Sequence, residues 1–301
     1  MIYSDILKAN GNTPLIRLNK MTAEDEAVIY VKYEGLNVGG SIKTRAALKM
    51  IEDAEEKGIL KKGMTIIEAT SGNQGIALAM VGAVKGYEVV IVMPDSVSKE
   101  RRALISQYGA TIRLVHDDND IGECIKKCNE IVVNTIKEEK NIFSPMQFDN
   151  YANVLAQRQV GEEIVKDLKH IDAFCSGFGT GGSITGIGSV LKENNKDMLI
   201  VAIEPENAAI LSGKQIKSHI QMGIGDGVIP KILDRDLIET VQLLAVIYSL
   251  LSVSKKSTRI NGNPTDSFLA ISIISSKCLG FGTSQFSWSP YFTSSLFHPM
   301  L

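Results

Sequence analysis

Lys43 lies in the stretch VKYEGLNVGGSIKTRAALK, residues 31–49, where an amine could do covalent chemistry. VKYE reads as the end of a strand. The run from Leu36 to Ser41 is a turn with two adjacent glycines, and Ile42 opens a helix continuing through RAALKMIEDAEEKG. A helix N-terminus carries partial positive charge, which favours anions and disfavours an ammonium. A lysine placed there is expected to bind its proton less tightly and to offer more free amine, as a Schiff-base lysine needs. The plainer alternative is an ordinary solvated lysine.

Two small-residue turns could hold anions. EATSGNQGIALAM sets Thr70 to Gly75 between a strand, TIIEA, and a helix, IALAM. Backbone N–H groups at such a helix start converge on one point, and Ser71 and Asn73 add side-chain donors, a setting for a carboxylate or phosphate. The alternative is a capping turn with Ser or Asn as the cap. SGFGTGGSITGIG, residues 176–188, has six glycines in thirteen positions, with the hydroxyls of Thr180 and Ser183 among them. No Gly-Lys-Ser/Thr follows, so it is not a Walker loop. A dinucleotide fingerprint, and with it an oxidoreductase, would need an acid about twenty positions on, a part that Glu204 alone could fill. A glycine cup without lysine suits the single phosphate of a cofactor tethered elsewhere, with Lys43 as the tether.

The elements that must position these groups alternate. AVIYVKYE precedes a helix over 42–58, TIIEA one starting near Gly75, YEVVIVMP one over 98–108, and TIRLV one over 119–139. NIFSPM leads to a helix over 152–168, IDAFCSG to one over 183–194, and MLIVAIEP follows. Short Val- and Ile-rich runs between longer helices predict parallel sheets covered on both faces. So many strands fit two α/β units better than one. The smaller, mobile unit is placed at about 40–145, and the larger takes 1–39 with 146–301.

Composition closes other routes. At 301 residues, 44% hydrophobic and 22% charged, the chain has the profile of a folded globular protein of two ordinary domains. A net charge of −2 gives no electrostatic case for nucleic acid or an anionic membrane. No apolar run is long enough to span a bilayer and MIYSDILKANG lacks a signal-peptide pattern, so a cytoplasmic protein is expected. Cys124, Cys128, Cys175 and Cys278 form no CxxC pair, which argues against a metal site and for buried thiols. His116, His170, His219 and His298 are dispersed and expected at the surface or in loops.

Taken together, GNTPLIRL, NVGGSIKTR, EATSGNQG, PMQFDN, GFGTGGSITG, EPENAAILSG and GIGDGVIP resemble the cysteine synthase (O-acetylserine sulfhydrylase) family. These are pyridoxal-phosphate enzymes of the tryptophan synthase β fold (fold type II), and the resemblance covers about residues 5–241. It implies two αβα domains with mostly parallel sheets, a homodimer, and pyridoxal 5′-phosphate as cofactor. Lys43 would carry the cofactor and later remove the substrate's α-proton, Asn73 would bond its ring oxygen, and Gly179, Thr180, Gly181, Gly182 and Ser183 would hold its phosphate. Thr70, Ser71, Gly72, Asn73, Gln74 and Gln147 would take the carboxylate of the amino acid. The implied reaction is β-replacement or β-elimination on cysteine or O-acetylserine through an α-aminoacrylate, with sulfide as nucleophile or product.

Four departures from the family bear on chemistry. Asn37-Val38 stands for Asn-Pro, Lys43-Thr44-Arg45 for Lys-Asp-Arg, and Asn73-Gln74-Gly75 for Asn-Thr-Gly. Gly225-Asp226-Gly227 places a carboxylate where alanine is common. Sulfide needs no base, whereas water does, so Asp226 is expected to activate water and convert cysteine to serine with release of hydrogen sulfide. The alternative is that Asp226 caps a turn or pairs with a surface cation.

The tail departs further. From Val241 onward there is one acidic residue, Asp266, of the chain's 34, while 13 serines and 8 of the 18 aromatics fall there. Such a composition reads as sequence not selected with the rest, as an out-of-frame stretch would be. SFLAISIISS could form a buried strand or helix, and the final twenty residues read as irregular. The family's late Gly-Ile-Ser-Ser-Gly-Ala segment, which meets the pyridine nitrogen, has no match; Ser275 and Ser276 come nearest. A catalytically impaired, regulatory or binding homologue is therefore the rival reading.

Overall fold

The computed structural model describes residues 2–19, 27–116, 121–139, 141–217, 219, 221–244 and 267–271. The first strands are β1 (Leu15–Arg17) and β2 (Val28–Lys32), and helix α1 (Lys43–Glu56) follows. Next come β3 (Thr65–Ala69), α2 (Asn73–Lys85), β4 (Glu88–Pro94), α3 (Lys99–Gln107), β5 (Thr111–Val115), α4 (Ile121–Glu138) and β6 (Ile142–Phe143). The rest is α5 (Tyr151–Asp167), β7 (Ala173–Gly177), α6 (Gly182–Asn194), β8 (Leu199–Pro205), β9 (Thr240–Leu244) and β10 (Ser267–Ile271).

These strands make two sheets. One has the order β5-β4-β3-β6, with every pairing parallel. The other has the order β1-β2-β10-β7-β8-β9, parallel except for the β1–β2 pair. The mostly parallel α/β architecture expected from alternation is therefore present. Within the low-acid tail, Ser267–Ile271 forms a strand, with Ser267 opposite Val28 and Phe268 opposite Ala173. Ser275, Ser276, Cys278 and His298 lie outside the described residues, as does the serine- and aromatic-rich end. Among the described residues no helix is long and apolar enough to cross a membrane, and no group of His, Cys, Asp and Glu could hold a metal.

Alternation along β3 divides its neighbours. Ile66 packs with α2 and with Ala47 and Ile51 of α1, while Ile67 and Ala69 face Cys124, Cys128 and Val132 of α4. Helix α2 is apolar nearly all round and is buried from Gln74 to Gly82, as such a helix must be. Phe174, Ile184, Ile187, Leu191 and Ile200 form the core against the six-stranded sheet, joined by Val160 and Ile164 of α5. Helix α1 belongs to both assemblies, because Ala46 and Met50 pack on Ala152 of α5.

The N-terminal end of α1 is held by a buried charge cluster. Arg45, 3% exposed, gives Nε to Glu34 Oε2 (2.7 Å), and Nη1 and Nη2 to the two oxygens of Glu163 (2.6 and 2.9 Å). Lys32, at 1% exposure, closes the cluster with Nζ 2.7 Å from Glu163 Oε2. Thr13 donates its hydroxyl to Glu34 Oε1. Two cations and two carboxylates thus join β2, α1 and α5 without residual charge, and losing one member strands the others in a dry interior.

Burial alone would raise the Glu163 pKa, but the hydrogen bonds from Arg45 and Lys32, the Arg45 charge and the Asn12 amide bring it down to about 2. A depressed acid stabilises the fold above its unfolded pKa, and that share is lost as pH falls through the folded value. From 4.5 to about 2, and with solvent reaching half-buried Glu163 to screen it, the share is on the order of 2 kcal/mol. Glu163→Gln should therefore lower unfolding stability by about that amount at neutral pH. Urea titrations below about pH 4.5 should show the gap to wild type narrowing; a gap that stays constant would refute the assignment.

Candidate active site

The first turn of α1 delivers Lys43 into a crevice lined from three sides. Thr70, Ser71, Asn73 and Gln74 come from the β3–α2 turn, Gly179, Thr180, Gly181 and Ser183 from the β7–α6 turn, and Asp226 from the loop after β8. Gln147 enters from the segment between β6 and α5. Gly72 and Gly182 stand behind the wall. A Cβ on Gly72 would lie 2.8 Å from Arg101 Cδ, and one on Gly182 would lie 2.5 Å from Asn153 Oδ1.

Lys43 Nζ donates to Thr180 Oγ1 (3.2 Å) and reaches Gln147 Oε1 (3.5 Å). Its pKa is lowered by burial, against the opposing charges of Asp226 and Glu68. Lys43 opens α1, as the sequence predicted, and burial adds removal of the amine from water to the effect of the helix end. Asn153, 1% exposed, donates Nδ2 to Thr180 Oγ1 (3.1 Å) and to the Gln147 carbonyl (3.0 Å). One amide thus fixes both partners of Lys43.

The two small-residue turns differ. Gly72 is the N-cap of α2, and no side chain caps that helix. The alternative in which Ser71 or Asn73 serves as cap does not hold, and neither side chain is used to start the helix. Helix α6 begins at Gly182, after Gly181 at φ +80°. A side chain at Gly181 would be strained and would meet Leu233 Cβ at 2.9 Å, and a Cβ on Gly179 would meet the Gly223 carbonyl at 2.6 Å. Glu204 is fully buried and accepts from Leu211 N, Ser212 N and the Ser212 hydroxyl. It is occupied in closing that turn, which removes the acid a dinucleotide site would need.

Asp226 stands between Gly225 (φ +71°) and Gly227 (φ +74°), and its Oδ2 would be 3.1 Å from a Cβ on Gly179. Its pKa is raised by burial, partly offset by the charges of Lys43 and His219. Asp226 is thus a wall of the crevice and not a surface ion-pair partner. His219 lies in a loop, as expected, and meets the Gly225 carbonyl through Nε2 (3.0 Å). His116 and His170 are exposed beside Asp95 and Asp172. Cys124 and Cys128 are buried thiols, as expected, while Cys175 is half-buried, and Cys128 lines the crevice.

Glu68, Asn153, Arg101 and His219 are the residues that motif reading missed. A lone acid inside the apolar strand TIIEA was the one local signal for Glu68. The others show only once the chain is folded.

Residues 6–250 match the family of pyridoxal-phosphate dependent enzymes. A cysteine synthase of a Flavobacterium species is 44% identical over 243 residues, covering 80% of this chain and 78% of that protein. The solved structure of an O-ureido-L-serine synthase superposes with a TM-score of 0.82 at 33% identity, covering 98% of this chain and 100% of that one. A hydrogen sulfide-producing enzyme from Fusobacterium nucleatum gives a TM-score of 0.80 at 36% identity, covering 90% and 97%.

The crevice suits pyridoxal phosphate. The turn that leads into α6 lines the same crevice as the buried amine through Gly179, Thr180, Gly181 and Ser183, and the glycines at 179, 181 and 182 let it pack too closely on Gly223, Leu233 and Asn153 for any side chain to stand there. If Lys43 is the tether, borohydride treatment of the protein loaded with cofactor should fix one pyridoxyl group per chain on the peptide containing Lys43. Lys43→Ala should take up none by mass spectrometry, and label spread over other lysines would contradict the assignment.

Proposed function

We propose that this chain, which belongs to the pyridoxal-phosphate dependent enzymes of the cysteine synthase branch, exchanges the β-substituent of cysteine for the hydroxyl of water. Its cofactor is pyridoxal 5′-phosphate. In this reading Lys43 holds the cofactor, Asn73 bonds its ring oxygen, and Gly179, Thr180, Gly181, Gly182 and Ser183 take its phosphate. Bound pyridoxal phosphate supplies an electron sink that makes the α-proton of an amino acid acidic and lets a group leave Cβ.

The rest is work for protein side chains. Thr70, Ser71, Gly72, Asn73, Gln74 and Gln147 orient the substrate carboxylate. Lys43, whose burial disfavours the ammonium form, takes the α-proton. Sulfur departs from Cβ as hydrosulfide. A water then adds its oxygen to Cβ while Asp226 receives the released proton; Lys43 returns its proton to Cα and the proton on Asp226 leaves with hydrosulfide, so cysteine and water yield serine and hydrogen sulfide.

The observation that carries this direction is Asp226 itself. A carboxyl raised in pKa by burial, facing Lys43 across the crevice, is a stronger base than a surface aspartate. Likeness to the hydrogen sulfide-producing enzyme of Fusobacterium nucleatum agrees with it. The second reading is cysteine formation from O-acetylserine and sulfide, favoured by the Thr70–Gly75 turn and by likeness to cysteine synthases.

Asp226→Asn separates the two. The variant should make serine from cysteine about a hundredfold more slowly or worse, as loss of a general base implies. It should still release about one sulfide per site in the first turnover and still make cysteine from O-acetylserine and sulfide. Serine formation at the wild-type rate would dismiss Asp226 as the base.

A further inference from the structure

Glu68 lies at the back of the crevice, 3% exposed, and no part of the mechanism above uses it. Its carboxylate is nevertheless fully engaged. Oε1 accepts from Gln147 N (3.0 Å), and Oε2 accepts from Met146 N (2.9 Å) and from the Ser144 hydroxyl (3.1 Å). All three donors come from one short segment between β6 and α5. That segment is under strain, since Met146 sits at φ +53°, a region that side chains with a Cβ rarely adopt.

The strained turn has one visible consequence. It aims the Gln147 side chain at the crevice, with Oε1 within 3.5 Å of Lys43 Nζ and Nε2 3.4 Å from the Ala69 carbonyl. Two anchors hold the Gln147 backbone: Glu68 takes its N–H, and Asn153 donates to its carbonyl. Asn153 is neutral at every pH, whereas Glu68 can change charge.

Resting on the reading that Gln147 receives the substrate carboxylate, we propose that Glu68 is a positioning residue whose ionised carboxylate holds residues 144–147 in the substrate-binding posture, so that amino-acid affinity depends on its charge. A protonated carboxyl is a poorer acceptor for three donors and cannot hold them all equally. The segment would then relax away from Met146's left-handed conformation, and Gln147 would lose its aim.

The surroundings place this change in an accessible range. Burial raises the Glu68 pKa to about 7, against the Gln147 and Met146 amides, the Ser144 hydroxyl and the Lys43 charge. Lys43 is the charged side chain that faces it from α1; β4 sets Ile91 beside it, and the 144–147 segment offers a hydroxyl and amides. The carboxylate form, and with it tight substrate binding, is the form above that pKa and is lost as pH falls through it.

The test uses the enzyme loaded with cofactor and L-cysteine as probe. Binding is read from the change in the cofactor's visible absorbance, and turnover from sulfide release. In wild type the KM for cysteine should rise as pH is lowered from about 8 to about 6. Glu68→Gln should raise KM about tenfold at the upper pH, the cost of one lost charge-assisted hydrogen bond, with kcat within about threefold of wild type. Its KM should no longer vary across that range.

An unchanged KM in Glu68→Gln, or a fall in kcat alone, would overturn the proposal. Ser144→Ala is the milder companion should the first variant fold poorly. It removes one donor from the carboxylate, so the KM limb should move to higher pH with melting temperature unchanged, and an unmoved limb counts against Glu68. A wild-type protein whose absorbance ignores L-cysteine would sink the substrate reading, and this proposal with it.

Discussion

An amine held out of water between carboxylates is the interaction on which the crevice depends. Lys43 has Asp226 on one side and Glu68 on another, and burial lowers its proton affinity while both acids raise it. Neither influence can be removed without changing the other groups. Lys43 in turn opposes the burial-driven rise in proton affinity of Asp226 and Glu68. The three form one electrostatic set centred on Lys43, whose charge bears on each acid.

Such a set needs a rigid frame, because electrostatic tuning fades once water enters. The frame here is α1. Its apolar residues pack on both layers of helices, so the helix is clamped along its length. Its first turn is anchored by Arg45, two residues past Lys43, in a charge cluster that reaches β2 and α5. A substitution in that cluster would be felt at Lys43 without touching the crevice.

What the sequence made legible follows from the range of the forces involved. Alternating apolar runs reflect local periodicity, and the helices over 43–56, 73–85 and 182–194 fall within a few residues of where pattern put them. The glycine turns were equally readable, since each has a steric reason visible in the fold. The burial of Lys43 was not, because helix-end charge is a local property and desolvation is a tertiary one. His219 looked remote from chemistry because its link to Gly225 depends on a loop closing back on itself. Glu68 and Gln147 are 79 positions apart, and no spacing rule connects them. The strand at Ser267–Ile271 is one of the two readings its sequence offered, a short continuous apolar run that pairs in parallel between β2 and β7.

On the proposed reading, the carboxylates bear on which direction of sulfur chemistry the crevice favours. A neutral crevice welcomes hydrosulfide, while one bearing an anion repels it and favours a neutral nucleophile. With Gly225 and Gly227 both at positive φ, the loop backbone is committed to its shape whatever residue stands at 226. The side chain at that position can therefore vary without rebuilding the loop. Glu68 cannot vary so freely, because its charge is spent on the backbone of residues 146 and 147. Of the two acids that act on Lys43, Glu68 is held by three hydrogen bonds from residues 144–147, while Asp226 is the one proposed to meet water.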